Sequence, residues 1–191
     1  MSKVEQTEGY LEGKILIAMP GMTDPRFTRS VIFLCAHNAD GAMGLVVNKR
    51  LDSLSFEELL NQLEITPSDA AAAQQVHFGG PVESGRGFVL HTDDYARDGT
   101  LKVGSGIALT ATTDILRAMA HGSGPRHALM ALGYAGWGPG QLESEIHDNA
   151  WLHVSADAAI VFDADLERKW ERAMAKLGIG LNNLSGASGH A

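Results

Sequence analysis

The chain has 191 residues, of which 45% are hydrophobic and 20% are charged, a composition typical of an ordinary globular protein. This composition excludes a disordered, collagen-like or coiled-coil chain, and a chain of this length supports one well-formed core. Lys and Arg number 15 against 23 Asp and Glu, and the resulting net charge of −8 opposes the non-specific DNA binding that a basic field drives.

The N-terminus is acidic and carries no apolar run behind a basic start, so it does not resemble a secretory signal. The apolar runs of the chain are far shorter than the ~20 residues that a membrane helix needs. One cysteine excludes an internal disulfide framework. We expect a cytoplasmic protein with Cys35 as a free thiol, a flexible N-terminus over residues 1–10, a single domain over 11–180 and a flexible tail over 181–191.

The glycines fall between short apolar runs, a pattern that predicts many short strands joined by tight turns. Residues 31–34 and 44–47 are apolar on both faces, as in strands that are covered on both sides. Asn, Asp and Gly between these two strands predict a hairpin turn. Nine strands are expected: Lys14–Met19, Ser30–His37, Ala42–Lys49, Gln75–Phe78, Gly87–His91, Leu101–Val103, His127–Gly133, Trp151–Ser155 and Ala159–Phe162.

Four helices are expected between and after these strands. Ser55 followed by Glu58 forms a capping box for the first helix. The predicted ranges are Phe56–Leu63, Thr113–His121, Gln141–His147 and Asp165–Leu177. Strands and helices alternate irregularly rather than as βαβ units, and the sequence therefore predicts an α+β fold.

The tripeptide from Cys35 to His37 is the first candidate for chemistry. In a regular strand these two side chains share a face about 7 Å apart, and an imidazolium beside a thiol lowers the thiol pKa. The pair therefore indicates a redox sensor or a thiol enzyme. The competing interpretation is that Cys35 simply ends an apolar core strand, and it is the favoured one.

Metal and acid–base chemistry find less support. The eight histidines lack the spacing of known metal-binding motifs, and we expect neither a metal nor another cofactor. Glu143, Glu145 and Asp148 could supply a carboxylate pair for a hydrolase or transferase, but a solvated helix end explains them better.

Two glycine-rich segments, 104–106 and 136–140, do not match a phosphate-binding loop or a nucleophile elbow. The second precedes a predicted helix, whose first N–H groups attract anions, although a turn is the favoured role. The basic cluster consists of Arg26, Arg29, Lys49 and Arg50, with Arg86 as a further member. On an acidic chain such a cluster indicates an anionic ligand, and a solvated rim paired with acids is the alternative.

Several blocks in order resemble the YqgE/AlgH family of bacteria. The first runs from Met19 to Ile32 (MPGMTDPRFTRSVI), and the next comprise Cys35–Asn38 and Gly41–Asn48. Further blocks lie at Gly79–Val82, Arg86–His91 and Gly133–Leu142, with Glu143, Glu145 and Trp151. The likeness extends from about Leu11 to Gly178.

The resemblance implies an α+β fold with a branched mixed sheet, a small barrel-like part and surrounding helices. It brings no agreed catalytic residues, and the AlgH name reflects a proposed role in transcriptional control of alginate production. We therefore expect a non-enzymatic binding or regulatory protein with an unknown small anion or protein as its partner, and no direct binding to DNA.

Turn residues carry function more often than core residues do, so the turns within these blocks are the expected ligand groove. The candidate ligand-binding residues are Pro20, Asp24, Arg26, Arg29, Asn48, Gly79, Gly80, Pro81, Trp137, Gly138 and Gln141. The hypothesis requires that these segments meet on one face of the molecule.

Overall fold

The computed structural model describes residues 9–69 and 74–178, and within these ranges nine strands and five helices are present. The predicted flexible tail and most of the predicted flexible N-terminus lie outside the described residues. The strands are β1 (Lys14–Ala18), β2 (Val31–Asn38), β3 (Gly41–Val46), β4 (Val76–Phe78), β5 (Val82–Thr92), β6 (Thr100–Gly104), β7 (Ile107–Thr110), β8 (Ala128–Trp137) and β9 (Trp151–Ser155). The helices are α1 (Phe56–Gln62), α2 (Thr113–Ala120), α3 (Gln141–His147), α4 (Ala158–Val161) and α5 (Leu166–Lys176).

The strands form one sheet in the order β6-β7-β5-β8-β3-β2-β1-β9, and β4 branches from β8. All pairings along this order are antiparallel, whereas β4 pairs with β8 in parallel. The sheet curls, and its two ends approach each other where the Cβ position of Gly13 lies 3.5 Å from the Val103 carbonyl oxygen. The fold is thus α+β with a branched, half-barrel sheet, which confirms the predicted fold class.

Strand β8 is the branch point because its two halves pair with different strands. Its first half lies between β4 and β5, and its second half pairs with β3. Gly133, with φ +76°, separates the halves. Across this bend the alternation of side chains reverses: Ala131 faces the concave side, and so does Tyr134, three residues later. A left-handed residue at this point lets one strand serve two segments of the sheet.

The concave face holds the main apolar core, which α4 and α5 cover. Phe33, Leu90 and Trp170 are among its buried members. The Trp170 indole N–H donates to the Ala18 carbonyl at 2.8 Å. The side chain of Lys169 is also fully buried here, and its Nζ donates to the Val47 and Val161 carbonyls, each at 2.7 Å. Burial lowers the pKa of Lys169 to about 7.

The convex face carries two further apolar clusters. Helices α1 and α2 cover the first, with Phe56, Leu60 and Ile115 buried in it. Helix α3 and the segment before β2 cover the second, in which Trp137 and Trp151 pack edge to face at 6.0 Å. Helices therefore cover much of the curled sheet on both sides, whereas β6 and the first half of β5 are largely exposed.

The predicted elements are present with one exception, and the structure adds one strand that was not predicted. The predicted strand at Ala159–Phe162 is wrong, because residues 158–161 form α4. The Asp157 side chain caps this helix by accepting a hydrogen bond from the Ile160 N–H at 2.8 Å. Strand β7 was not predicted: Ser105 and Gly106 both have positive φ, and they form the two-residue turn that pairs β7 with β6.

Candidate ligand-binding cleft

A cleft of about 650 Å³ opens where the concave face meets the β2–β3 hairpin. Its floor is apolar and its rim is polar, which is the usual character of a small-molecule site. The hairpin contributes Asn38, Asp40 and Met43, β5 contributes Val82, Arg86 and Phe88, β7 contributes Leu109, and β8 contributes Tyr134, Gly136 and Trp137.

A wide bulge in β5 delivers Arg86 to this cleft. Val82 pairs with Tyr134 and Gly87 pairs with Leu132, so four residues of β5 oppose a single residue of β8. Within the bulge, Glu83 adopts a positive φ of 47° and its carboxylate contacts the Arg86 guanidinium at 3.3 Å. The guanidinium lies over the Phe88 ring, 5.1 Å from its centroid. The bulge thus places a cation beside an aromatic wall.

The aromatic wall of the cleft consists of Phe88 and Tyr134. Their rings meet edge to face with centroids 5.9 Å apart. Phe88 is buried, whereas Tyr134 is partly exposed beside the bare backbone of Gly136. A Cβ on Gly136 would lie 3.4 Å from the Tyr134 ring and 3.9 Å from Val82. A larger side chain at position 136 would therefore occupy part of the cleft.

The segment Pro20–Arg29, which supplies four of the candidate ligand-binding residues, covers part of the convex face. Asp24 forms an ion pair with Arg26 at 2.7 Å, and this contact lowers the pKa of the Asp24 carboxyl. Phe27 packs against Trp151 with ring centroids 5.8 Å apart. Pro20 is exposed at the start of this segment.

Arg29 and Asn48 secure the other end of the same segment. The Asn48 side chain accepts a hydrogen bond from the Val31 N–H at 2.9 Å and donates to the Arg29 carbonyl at 2.8 Å. The Arg29 guanidinium lies 4.2 Å from the centroid of the Trp170 ring, and Lys49 Nζ donates to the Arg26 carbonyl. Arg29 and Lys49, two members of the predicted basic cluster, therefore hold the loop to the body of the protein.

Gly79, Gly80 and Pro81 lie where the chain crosses β8. Gly79 donates its N–H to the Leu132 carbonyl and accepts from the Val46 N–H, each at 2.8 Å. A Cβ on Gly80, which has φ +154°, would overlap the Tyr134 carbonyl. These glycines are needed for close backbone approach, and they line the crossing rather than the cleft.

Trp137, Gly138 and Gln141 meet at Glu145. The Glu145 carboxylate accepts hydrogen bonds from the indole N–H groups of Trp137 and Trp151, at 3.1 and 3.0 Å, and from the Gln141 amide at 2.8 Å. The Gln141 Oε1 accepts from the Gly138 N–H at 2.9 Å. Of the candidate ligand-binding residues, Trp137 alone lines the cleft. The others lie in the loop before β2 and at its anchor, at the β8 crossing or at the start of α3.

Cys35 and His37 are not brought together as a reactive pair. The β2–β3 register shifts between Leu34 and Ala36, so the two side chains point to opposite faces. Cys35 is buried in the concave core, and burial raises its pKa to about 12. A β-bulge, which the tripeptide does not reveal, reverses the alternation that the sequence-based hypothesis assumed.

His37 instead links the N-terminal segment to α3. Its Nδ1 accepts a hydrogen bond from the Leu11 N–H at 3.0 Å, which requires that Nε2 carry the proton and donate to Glu143 at 2.8 Å. This hydrogen bond lowers the pKa of the Glu143 carboxyl. Two of the three carboxylates considered for acid–base work, Glu143 and Glu145, thus have structural partners.

Among residues 9–69 and 74–178, no group of three or more His, Cys, Asp or Glu side chains is placed to hold a metal ion. Over the same part of the chain, no helix is long and apolar enough to cross a membrane.

Sequence reasoning missed most of the cleft, including Asp40, Phe88 and Tyr134, together with the bulge that orients Arg86. The sequence groups Arg86 with the basic cluster, but in the structure Arg86 lines the cleft and the other members of that cluster do not. Phe88 and Tyr134 both fall within blocks that resemble the YqgE/AlgH family. The signal that could have found the cleft was the pairing of those two blocks as neighbouring strands.

The comparisons with known proteins agree with this architecture. The model of the AlgH-like family matches residues 15–182. A UPF0301 protein of Rhodopseudomonas palustris strain HaA2 is 56% identical over 98% of this chain and 89% of its own length. A UPF0301 protein of Rhodospirillum rubrum is 54% identical over 98% of both chains. The chain belongs to the AlgH-like family, which confirms the resemblance drawn from its sequence.

Solved structures give the same result. The solution structure of the AlgH protein from Pseudomonas aeruginosa superposes with a TM-score of 0.78 at 44% identity, covering 93% of this chain and 94% of that one. A crystal structure of a Corynebacterium diphtheriae protein superposes with a TM-score of 0.71 at 18% identity, covering 91% and 89%. The second likeness concerns the fold alone.

Proposed function

We propose that this chain is a non-enzymatic binding protein whose small-molecule ligand occupies the cleft beside the β2–β3 hairpin. The observation that carries the proposal is the cleft itself, which combines about 650 Å³ of space, an apolar and aromatic floor and a small number of polar groups on its rim. Concave sites of this size and character are where proteins bind small molecules.

The environment of the chemically competent side chains supports binding rather than catalysis. Cys35 is buried with a raised pKa, and His37 is held between Leu11 and Glu143. Glu145 is engaged by two indole groups. A catalytic acid, base or nucleophile must instead reach the substrate with a pKa suited to proton transfer.

The charge of the chain favours a small ligand over nucleic acid as the partner of this site. The net charge is −8, and the basic residues of α5 alternate with acids. Arg172 of this helix is paired with Asp163. A ligand that binds only the folded state stabilises that state, so occupancy of the cleft is measurable as a rise in Tm.

The experiment is a thermal-shift screen of metabolites against the wild-type chain and a variant with a filled cleft. Gly136→Val suits this purpose because Gly136 is exposed, lies in a strand and has room for a Cβ. Gly21→Val is the matched control, since Gly21 is also exposed and its Cβ position has no neighbour within 4 Å.

A ligand at about 100 times its Kd is expected to raise the Tm of the wild type and of Gly21→Val by about 5–10 °C. The same ligand should leave the Tm of Gly136→Val unchanged. The proposal is refuted if a broad metabolite library raises no Tm, or if every compound that binds stabilises Gly136→Val as much as the wild type.

A further inference from the structure

Two residues of opposite charge stand on the rim of the cleft. Arg86 belongs to the bulge of β5, and Asp40 belongs to the turn between β2 and β3. They are the charged residues among those that line the cleft. The exposed Asp40 side chain lies at the hairpin tip, where the Asp40 backbone N–H donates to the Asn38 side chain at 2.8 Å. The rim thus presents a cationic group on one strand and a carboxylate on another.

The floor of the cleft is apolar and partly aromatic. Met43 and Leu109 are half-buried against the concave core, and Phe88 and Tyr134 form the edge-to-face pair. Aromatic rings bind other rings through offset or edge-to-face contacts, and methionine adapts its shape to the ring it meets. A ligand that satisfies the floor therefore carries an apolar group, of which a planar ring fits the wall best.

The protein holds the Arg86 guanidinium weakly. Within the described residues, its one side-chain hydrogen bond runs from Nη1 to the Glu83 carboxylate at 3.3 Å, and both side chains are more than half exposed. Exposed ion pairs of this kind contribute little to stability. A guanidinium has five N–H donors, so it can receive a second carboxylate with little loss of stability.

We propose that the ligand is dipolar: an α-amino acid or a short peptide with an aromatic side chain, whose carboxylate binds Arg86 and whose ammonium group faces Asp40. This inference rests on the proposed function and adds the chemical class of the ligand. The aromatic side chain of the ligand lies on the floor beside Phe88 and Tyr134. The shared chemistry is a free ammonium group, a free carboxylate and a ring.

The experiment is titration of the full chain, followed by calorimetry and by NMR shifts of the cleft residues. The probes are L-phenylalanine, the dipeptide phenylalanylglycine, its N-acetylated form and its C-terminal amide. The unmodified dipolar probes are expected to bind about three- to tenfold more tightly than the two forms that lack one charge. Tighter binding of the dipeptide assigns the cleft to peptides, and tighter binding of L-phenylalanine assigns it to free amino acids.

Three variants test the role of each charge. Arg86→Gln and Asp40→Asn should each weaken binding of the dipolar probes about three- to tenfold. Glu83→Gln should strengthen it about twofold, because Arg86 then has no competing carboxylate. The matched controls are Arg117→Gln and Asp114→Asn, which alter another exposed i,i+3 ion pair and should leave affinity unchanged.

The inference is overturned if none of the four probes binds, if the acetylated and amidated forms bind as tightly as the unmodified dipeptide, or if Arg86→Gln and Asp40→Asn behave like their controls. The proposed function is judged separately. It stands if the metabolite screen yields a compound whose binding Gly136→Val abolishes, even when that compound carries a single charge or none.

Discussion

Replacement of Lys169 by Met is expected to remove the rise in stability that this lysine produces between pH 7 and pH 9. The Lys169 side chain is fully buried, and its Nζ donates to two backbone carbonyls. Burial lowers its pKa in the folded protein from 10.5 to about 7. In the unfolded chain the lysine regains its ordinary pKa near 10.4.

The sign follows from proton binding. Between pH 7 and about 10.5 the unfolded chain binds the proton that the folded protein releases, so the free energy of unfolding increases with pH. Below pH 7 both states are protonated, and the full penalty of burying the ammonium group is present. The whole shift corresponds to about 5 kcal/mol, of which about 2 kcal/mol falls between pH 7 and pH 9.

The assay is urea denaturation of the wild type and of Lys169→Met at pH 7, 8 and 9. The difference between the two proteins isolates the lysine, because Cys35 titrates in both. Between pH 7 and pH 9, we expect the free energy of unfolding of the wild type to rise by about 2 kcal/mol more than that of Lys169→Met. Parallel curves for the two proteins would refute the reasoning, whatever the absolute stability of the variant.

Three other predictions concern single buried positions. Burial lowers the pKa of His77 to about 4, so stability should fall by about 3 kcal/mol more in the wild type than in His77→Gln as pH drops from 6.5 to 4; equal losses in acid denaturation curves would contradict this. The raised pKa of Cys35 predicts no alkylation by iodoacetamide at pH 8.5 until the protein unfolds, and mass spectrometry of rapidly labelled native protein would reveal the opposite. Gly80→Ala should destabilise the protein by about 3 kcal/mol in urea denaturation, because the new Cβ overlaps the Tyr134 backbone, whereas Gly21→Ala should change it little.

Local patterns identified the elements whose causes are local. Ser55 caps α1 by accepting a hydrogen bond from the Glu58 N–H, as the capping box predicts. The hairpin between β2 and β3 follows from its Asn, Asp and Gly residues. By contrast, the apolar run Ala159–Phe162 is too short for its hydrophobic periodicity to distinguish a strand from a helix. In the structure, the Asp157 side chain caps this segment, which is helical.

The candidate site depended on contacts that no local pattern records. Arg86 and Tyr134 are far apart in sequence and meet because β5 and β8 pair with a shift in register. The bulge in β2 likewise turns Cys35 and His37 to opposite faces, so they do not form the reactive pair that their spacing suggests. Pairing register and bulges are properties of two strands together, and they decide which side chains share a face.

The position of β8 at the junction of the sheet has a consequence for the kinetics of folding. Strand β8 pairs with β3, β4 and β5, all of which precede it in the chain. During synthesis these three strands therefore lack their β8 partner until it has been made. Such distant pairing makes folding slow and leaves apolar strand edges open in the meantime. Nascent chains that stop before residue 128 should therefore aggregate or bind chaperones, and extension past residue 137 should release them.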